Sequence, residues 1–160
     1  MNHLIDASRP DTVPCQPDII HHIHKAFRLC LPGTQGEVFP EMEDCEAYWR
    51  HVDWIVHRAA ELGMFIGMLP CWGDKWNKKW GCGPEIFKDP GSAYDYGAWI
   101  GERYSREWNI IWILGGDRPV ENEEQESVID AMAAGIRSRD TEHLMTFHPC
   151  GASCSTHFLR

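Results

Sequence analysis

The chain has 160 residues, with 15 Lys plus Arg against 24 Asp plus Glu and a formal net charge of −9 at pH 7. That length suits one domain of ~100–200 residues, and 43% hydrophobic with 24% charged residues excludes wholesale disorder. The acidic balance argues against nucleic-acid and anionic-membrane partners, which need a basic patch.

No apolar run approaches the ~18 residues that span a bilayer. The start, MNHLIDASRPDTVPCQ, lacks the apolar stretch of ~7–15 residues that a secretory leader requires. The seven cysteines (15, 30, 45, 71, 82, 150 and 154) are an odd number without a CxxC pair. They fit a reducing, cytoplasmic setting better than a disulfide framework or a zinc ribbon. The eight tryptophans are many for this length, and such side chains either pack a core or stack on a ligand.

Residues 1–43 read as an irregular segment. Pro10, Pro14, Pro17, Pro32 and Pro40, with Gly33 and Gly36, interrupt it, because proline fixes φ and removes a donor. One short helix fits between Ile19 and Leu31. His21, His22 and His24 lie on it, and His22-Ile23-His24 has the outline of an amidohydrolase HxH motif. On a helix, however, i and i+2 diverge, so no metal site is expected.

From Asp44 the pattern becomes regular. Tyr48, Val52, Ile55, Val56, Ala59 and Leu62 recur at helical spacing, and Gly63 stands where a helix-ending glycine belongs. Met64 to Leu69 is a short apolar run stopped by Pro70, which predicts a buried strand. A Trp- and Gly-rich loop follows, then a helix over 92–104. Ile110 to Leu114 is a second strand, closed by Gly115-Gly116. Ile129, Met132, Ala133 and Ile136 mark a third helix, and Leu144 to His148 a third strand, closed by Pro149.

Buried strands alternating with helices predict an α/β fold with parallel pairing. Three strands cannot close a barrel, which typically takes ~250 residues. The chain is therefore either a small open α/β domain or part of a larger barrel. In both, ligands meet the loops after the carboxyl ends of the strands. Those loops are 70–76, 115–119 and 148–151.

Asp117 is the sharpest candidate. It follows an apolar strand and two glycines, so its carboxyl group belongs at the rim of the sheet, where low-dielectric walls can tune a general acid. Asp-x-Pro is also a common turn, and position alone does not separate the two readings. Trp72, Trp76 and Trp80 come every four residues and would form an aromatic stripe on a helix. Such a stripe suits sugar rings, with Asp74 and Lys75 to bond hydroxyl groups, but it also suits packing the loop onto the sheet. His148, ending the third strand, can bond a ligand hydroxyl, orient a carboxylate, or be structural. Glu85 reads as a solvated loop residue. No GxGxxG, Walker, HExxH or GxSxG pattern occurs, and no metal or organic cofactor is indicated.

Several longer stretches resemble the apiosidase-like glycoside hydrolases, the group related to glycoside hydrolase family 140. They are Tyr48 to Val56, Ala59 to Gly63, Leu69 to Trp76, Gly83 to Phe87, Asn109 to Pro119 and His143 to Pro149. The likeness runs from about Asp44 to about Ser155. It implies an incomplete (β/α)8 TIM barrel over residues 44–160, whose three β/α units resemble strands three to five. It implies hydrolysis of glycosidic bonds in complex glycans, with Asp117 as acid/base. Trp72, Asp74, Lys75, Trp76, Arg118 and His148 would be substrate-binding residues, and Cys71 stands where Thr is expected. The nucleophile would come from strand seven, which has no counterpart here.

Three functions follow as expectations: a hydrolase fragment inactive alone, one part of a split barrel, or a carbohydrate-binding piece. All take a glycan partner. The open sheet edges invite self-association or a complementing chain.

Overall fold

The computed structural model describes residues 42–79 and 85–158, and the backbone alone at 42–47 and 157–158. The proline-rich region, the helix expected over Ile19–Leu31, His21, His22, His24, Trp80 and the Gly83-Pro84 pair lie outside the described residues.

The elements alternate as the apolar runs require: α1 (Met42–Glu61), β1 (Ile66–Met68), α2 (Pro90–Tyr104), β2 (Ile110–Gly115), α3 (Glu123–Arg137) and β3 (Met145–His148). Short 3-10 turns occupy Gly73–Lys75 and Ser155–Phe158. Among the described residues the sheet has three strands in the order β1-β2-β3, all parallel. Met68 lies opposite Trp112, Leu114 opposite Phe147, and Gly115 opposite His148. This register sets the mouth of the sheet, because it brings the end of β3 beside the end of β2.

One sheet face carries Met68, Ile110, Trp112, Leu114 and Phe147 and is buried with the helices. The other carries Gly67, Ile111, Ile113 and Thr146 and is at most half-buried. Helices α2 and α3 meet backbone to backbone. A Cβ on Gly97 would lie 2.3 Å from the Met132 carbonyl oxygen, and one on Gly135 would lie 2.1 Å from that of Tyr94. Both helices start at side-chain caps: Asp89 accepts from the Ser92 N–H and Asn122 from the Gln125 N–H, satisfying amides that have no partner inside the helix.

The buried line of α1 is Trp49, Val52, Val56 and Ala59, whereas Tyr48, Ile55 and Leu62 are exposed. Val52, Val56 and Ala59 of the expected positions face inward, and Trp49 takes the place expected for Tyr48. Trp49 decides it: its ring meets Trp99 edge-on at 4.7 Å, and the Arg103 guanidinium lies over both rings at 5.8 and 5.6 Å. Asp53 closes the cluster by accepting two hydrogen bonds from Arg103 and one from Tyr104. Burial alone would raise the Asp53 carboxyl pKa, but these donors and the Arg103 charge hold it below the ordinary carboxylate value.

Candidate active site

Three loops meet at the carboxyl end of the sheet. Gly115, Gly116 and Asp117 have φ of +94°, +106° and +60° in succession, so the chain leaves β2 through a left-handed turn. The first two positions admit no side chain: a Cβ would sit 2.3 Å from the His148 carbonyl oxygen at Gly115 and 2.4 Å from the Gly73 nitrogen at Gly116. Asp117 is the residue with a side chain at the end of this turn, and Asp is among the few that tolerate such a φ.

The turn is gripped from both sides. The N–H of Gly73 donates to the Gly116 carbonyl at 3.2 Å, and the Trp76 indole N–H donates to the Gly115 carbonyl at 3.2 Å. From β3, the His148 carbonyl accepts from the Gly116 N–H at 3.2 Å, and the His148 ring Nδ1 accepts from the Asp117 N–H at 3.0 Å. Arg118 reaches back to the Asp117 carbonyl at 2.8 Å. The backbone of Asp117 is thus fixed at both its polar groups. Its carboxylate, on a half-buried residue, takes no hydrogen bond or ion pair among the described residues. Backbone held in a sparsely populated region by several contacts is a common property of functional sites.

The other candidate residues separate into two groups. Trp72 is 46% exposed, and its ring lies 5.8 Å from that of His148, which is also exposed. These two share the mouth with Asp117. Asp74, Lys75, Trp76 and Arg118 are buried. Lys75 Nζ donates to Asp74 Oδ2 at 2.9 Å, leaving Asp74 Oδ1 buried without a hydrogen bond among the described residues.

Among the described residues no aromatic stripe forms. Residues 73–75 make one tight turn rather than a helix, so Trp72 points out while Trp76, 4% exposed, points in. Regular i, i+4 spacing has that meaning only on a continuous helix.

Glu85 accepts from the Lys78 N–H at 2.9 Å, so it staples its loop. A carboxylate not singled out in the sequence, Glu121, binds the Asn77 amide and the Lys79 ammonium. With Asn77 donating to the Pro119 carbonyl, it ties the loop after β1 to the loop after β2. The ammonium and amide donors depress the Glu121 carboxyl pKa. Cys71 is buried, and burial with the neighbouring Asp74 pushes its thiol up to about 12. It therefore does not supply a thiolate nucleophile near neutrality. Among the described residues no group of His, Cys, Asp and Glu could hold a metal ion, and no helix is long and apolar enough to cross a membrane.

The model of the apiosidase-like catalytic domain matches residues 30–159. The chain belongs to that family. It is a glycoside hydrolase-like domain made of three parallel β/α units of a TIM-barrel architecture. A solved glycoside hydrolase family 5 protein from Bacteroides vulgatus is 38% identical to it with a TM-score of 0.58, over 69% of this chain and 22% of that one. A second solved structure, described as a glycoside hydrolase, is 35% identical with a TM-score of 0.58, over 69% of this chain and 23% of that one. The apiosidase-like chain thus corresponds to less than a quarter of each of these solved relatives. No curated protein matches it.

Proposed function

We infer that this domain contributes the acid/base carboxylate of a glycosidase, and that Asp117 is that residue. The observation carrying this reading is the pairing of a rigid backbone with an unengaged carboxylate at the mouth of a parallel sheet. In its acid form Asp117 gives its proton to the glycosidic oxygen as the bond from that oxygen to the anomeric carbon breaks and its electron pair moves onto the oxygen. The oxocarbenium-like carbon is taken by a second carboxylate if configuration is retained, or, if it is inverted, by a water whose proton that second carboxylate removes. In the retaining case Asp117, now a carboxylate, removes a proton from the water that releases the sugar. Trp72 offers a face for the sugar ring beside His148. Asp74, Lys75, Trp76 and Arg118 act from beneath, holding the loops that carry this surface.

The second carboxylate must lie ~5–5.5 Å from the first for retention, or ~6.5–9.5 Å for inversion. Among the described residues the other acids near the mouth are engaged: Asp74 with Lys75, Glu121 with Asn77 and Lys79, and Glu85 with its own loop. We therefore place the partner carboxylate outside the described residues. The half-covered sheet face at Gly67, Ile111, Ile113 and Thr146 is where complementary β/α units would pack, whether from another chain or a second copy.

Asp117→Asn is the test, assayed on an aryl glycoside with and without a polypeptide supplying the remaining strands. Turnover should appear with the complement and fall about a hundredfold to ten-thousandfold in the variant, with glycan binding retained. Equal turnover by variant and parent would remove Asp117 from the reaction, and turnover by the chain alone would remove the need for a complement.

A further inference from the structure

We propose that His148 is the positioning residue of Asp117: its neutral ring, fixed as the Nε2–H tautomer, holds the acid's backbone through Nδ1 and presents Nε2–H to a sugar oxygen. The functional half rests on the reading of Asp117 as acid/base; the tautomer does not.

The chemistry of the contact leaves one arrangement. The donor to His148 Nδ1 is a backbone N–H, that of Asp117, at 3.0 Å. A backbone amide has no acceptor role at nitrogen, so Nδ1 must offer its lone pair, and in a neutral imidazole the proton then resides on Nε2. His148 also accepts from the Gly116 N–H through its own carbonyl. One residue therefore takes two successive amides of the left-handed turn, one with its main chain and one with its ring. The register that places His148 opposite Gly115 makes this possible.

The ring's other corner has no hydrogen-bond partner among the described residues, and the ring stands 5.8 Å from the half-exposed Trp72. A donor N–H beside an aromatic face suits a carbohydrate, whose hydroxyl and ring oxygens accept while its C–H faces stack. The two nitrogens have separate tasks, and two amide side chains separate them. Asn places its carbonyl oxygen near Nδ1 and keeps the acceptor for Asp117. Gln reaches toward the Nε2 position and loses that acceptor.

The decisive measurement is a long-range proton–nitrogen correlation spectrum of the full 160-residue chain, recorded near pH 8, above the ordinary imidazole range. His148 should show a single Nε2–H tautomer, and the Nδ1–H form or an averaged mixture would overturn the proposal. Amide exchange at Asp117 gives the second readout. It should be about five- to tenfold faster in His148→Gln than in the parent and close to parental in His148→Asn. Equal exchange in the two variants would also overturn it, and if a variant fails to fold the parental spectrum still decides. Neither readout involves hydrolysis, so the expected tautomer together with no turnover even in the presence of the complementing strands would count against the glycosidase reading and leave the His148–Asp117 lock standing.

Discussion

Two aspartates, each with a histidine and a tryptophan nearby, show how one set of residue types serves opposite ends. Asp140, in the loop between α3 and β3, is 1% exposed. Its Oδ2 accepts from the Trp112 indole N–H at 2.6 Å and pairs with His143 Nδ1 at 2.7 Å, and its Oδ1 accepts from the N–H groups of Glu142 and His143. Asp117, with His148 and Trp72, is the reverse: its main chain is held and its carboxylate is not. The first fastens the indole of a fully buried strand residue. The second leaves a carboxylate without a hydrogen bond among the described residues beside solvent-facing rings, as the proposed acid/base role requires. Chemistry needs an acid whose hydrogen bonds await substrate, whereas stability needs one whose hydrogen bonds are complete.

The sharpest way to break this contrast is to neutralise each residue in turn. Asp117→Asn should remove turnover by the factor given above and leave stability within about 0.5 kcal/mol, since Asn tolerates the left-handed turn as well. Asp140→Ala should do the opposite. It strands the Trp112 indole N–H in the core and should cost about 3 kcal/mol, as loss of charged hydrogen bonds with a buried donor left unpaired does. Urea unfolding of both variants decides; equal destabilisation would erase the distinction.

A smaller effect sharpens it. Burial would raise the Asp140 carboxyl pKa, yet hydrogen bonds from Trp112 and His143 hold it below the ordinary value, and Asp53 is depressed likewise by Arg103 and Tyr104. A group with a depressed folded pKa stabilises the protein above its unfolded value and loses that contribution as pH falls through the folded one. Stability should thus be level near neutrality and decline below about pH 4, the unfolded carboxyl range. In Asp140→Asn the decline should be shallower. Parallel curves for parent and variant in urea midpoints across pH 7 to ~3 would contradict this assignment.

The sequence disclosed the strand–helix alternation because apolar runs bounded by Gly and Pro survive any detail of packing. It also marked the turn that carries Asp117, because two glycines directly after a buried strand supply the positive φ that such a turn requires. The Asp140 network was not legible, since an Asp in a polar loop carries no mark that Trp112, a strand residue far away in sequence, will reach it. The face of α1 was legible at Val52, Val56 and Ala59 but not at Trp49, because apolar residues lie on more than one side and the Trp49–Trp99–Arg103 stack chooses among them. The split between Trp72 and Trp76 was hidden too, because equal spacing says nothing once the intervening residues form a single turn.

That split supports the smallest prediction. Trp76 donates its indole N–H to Gly115 and belongs to the core, whereas Trp72 leaves nearly half its surface open beside His148. Trp72→Ala should move the thermal midpoint little, because exposed positions usually change stability by under about 0.5 kcal/mol. It should weaken glycan binding about two- to twelvefold, the loss expected when one aromatic face worth about 0.5–1.5 kcal/mol is removed. Calorimetric titration with a soluble oligosaccharide measures the second effect and a thermal scan the first. A variant that melts early without losing affinity would make Trp72 a packing residue like Trp76, and the mouth of the sheet would then need a different sugar-binding surface.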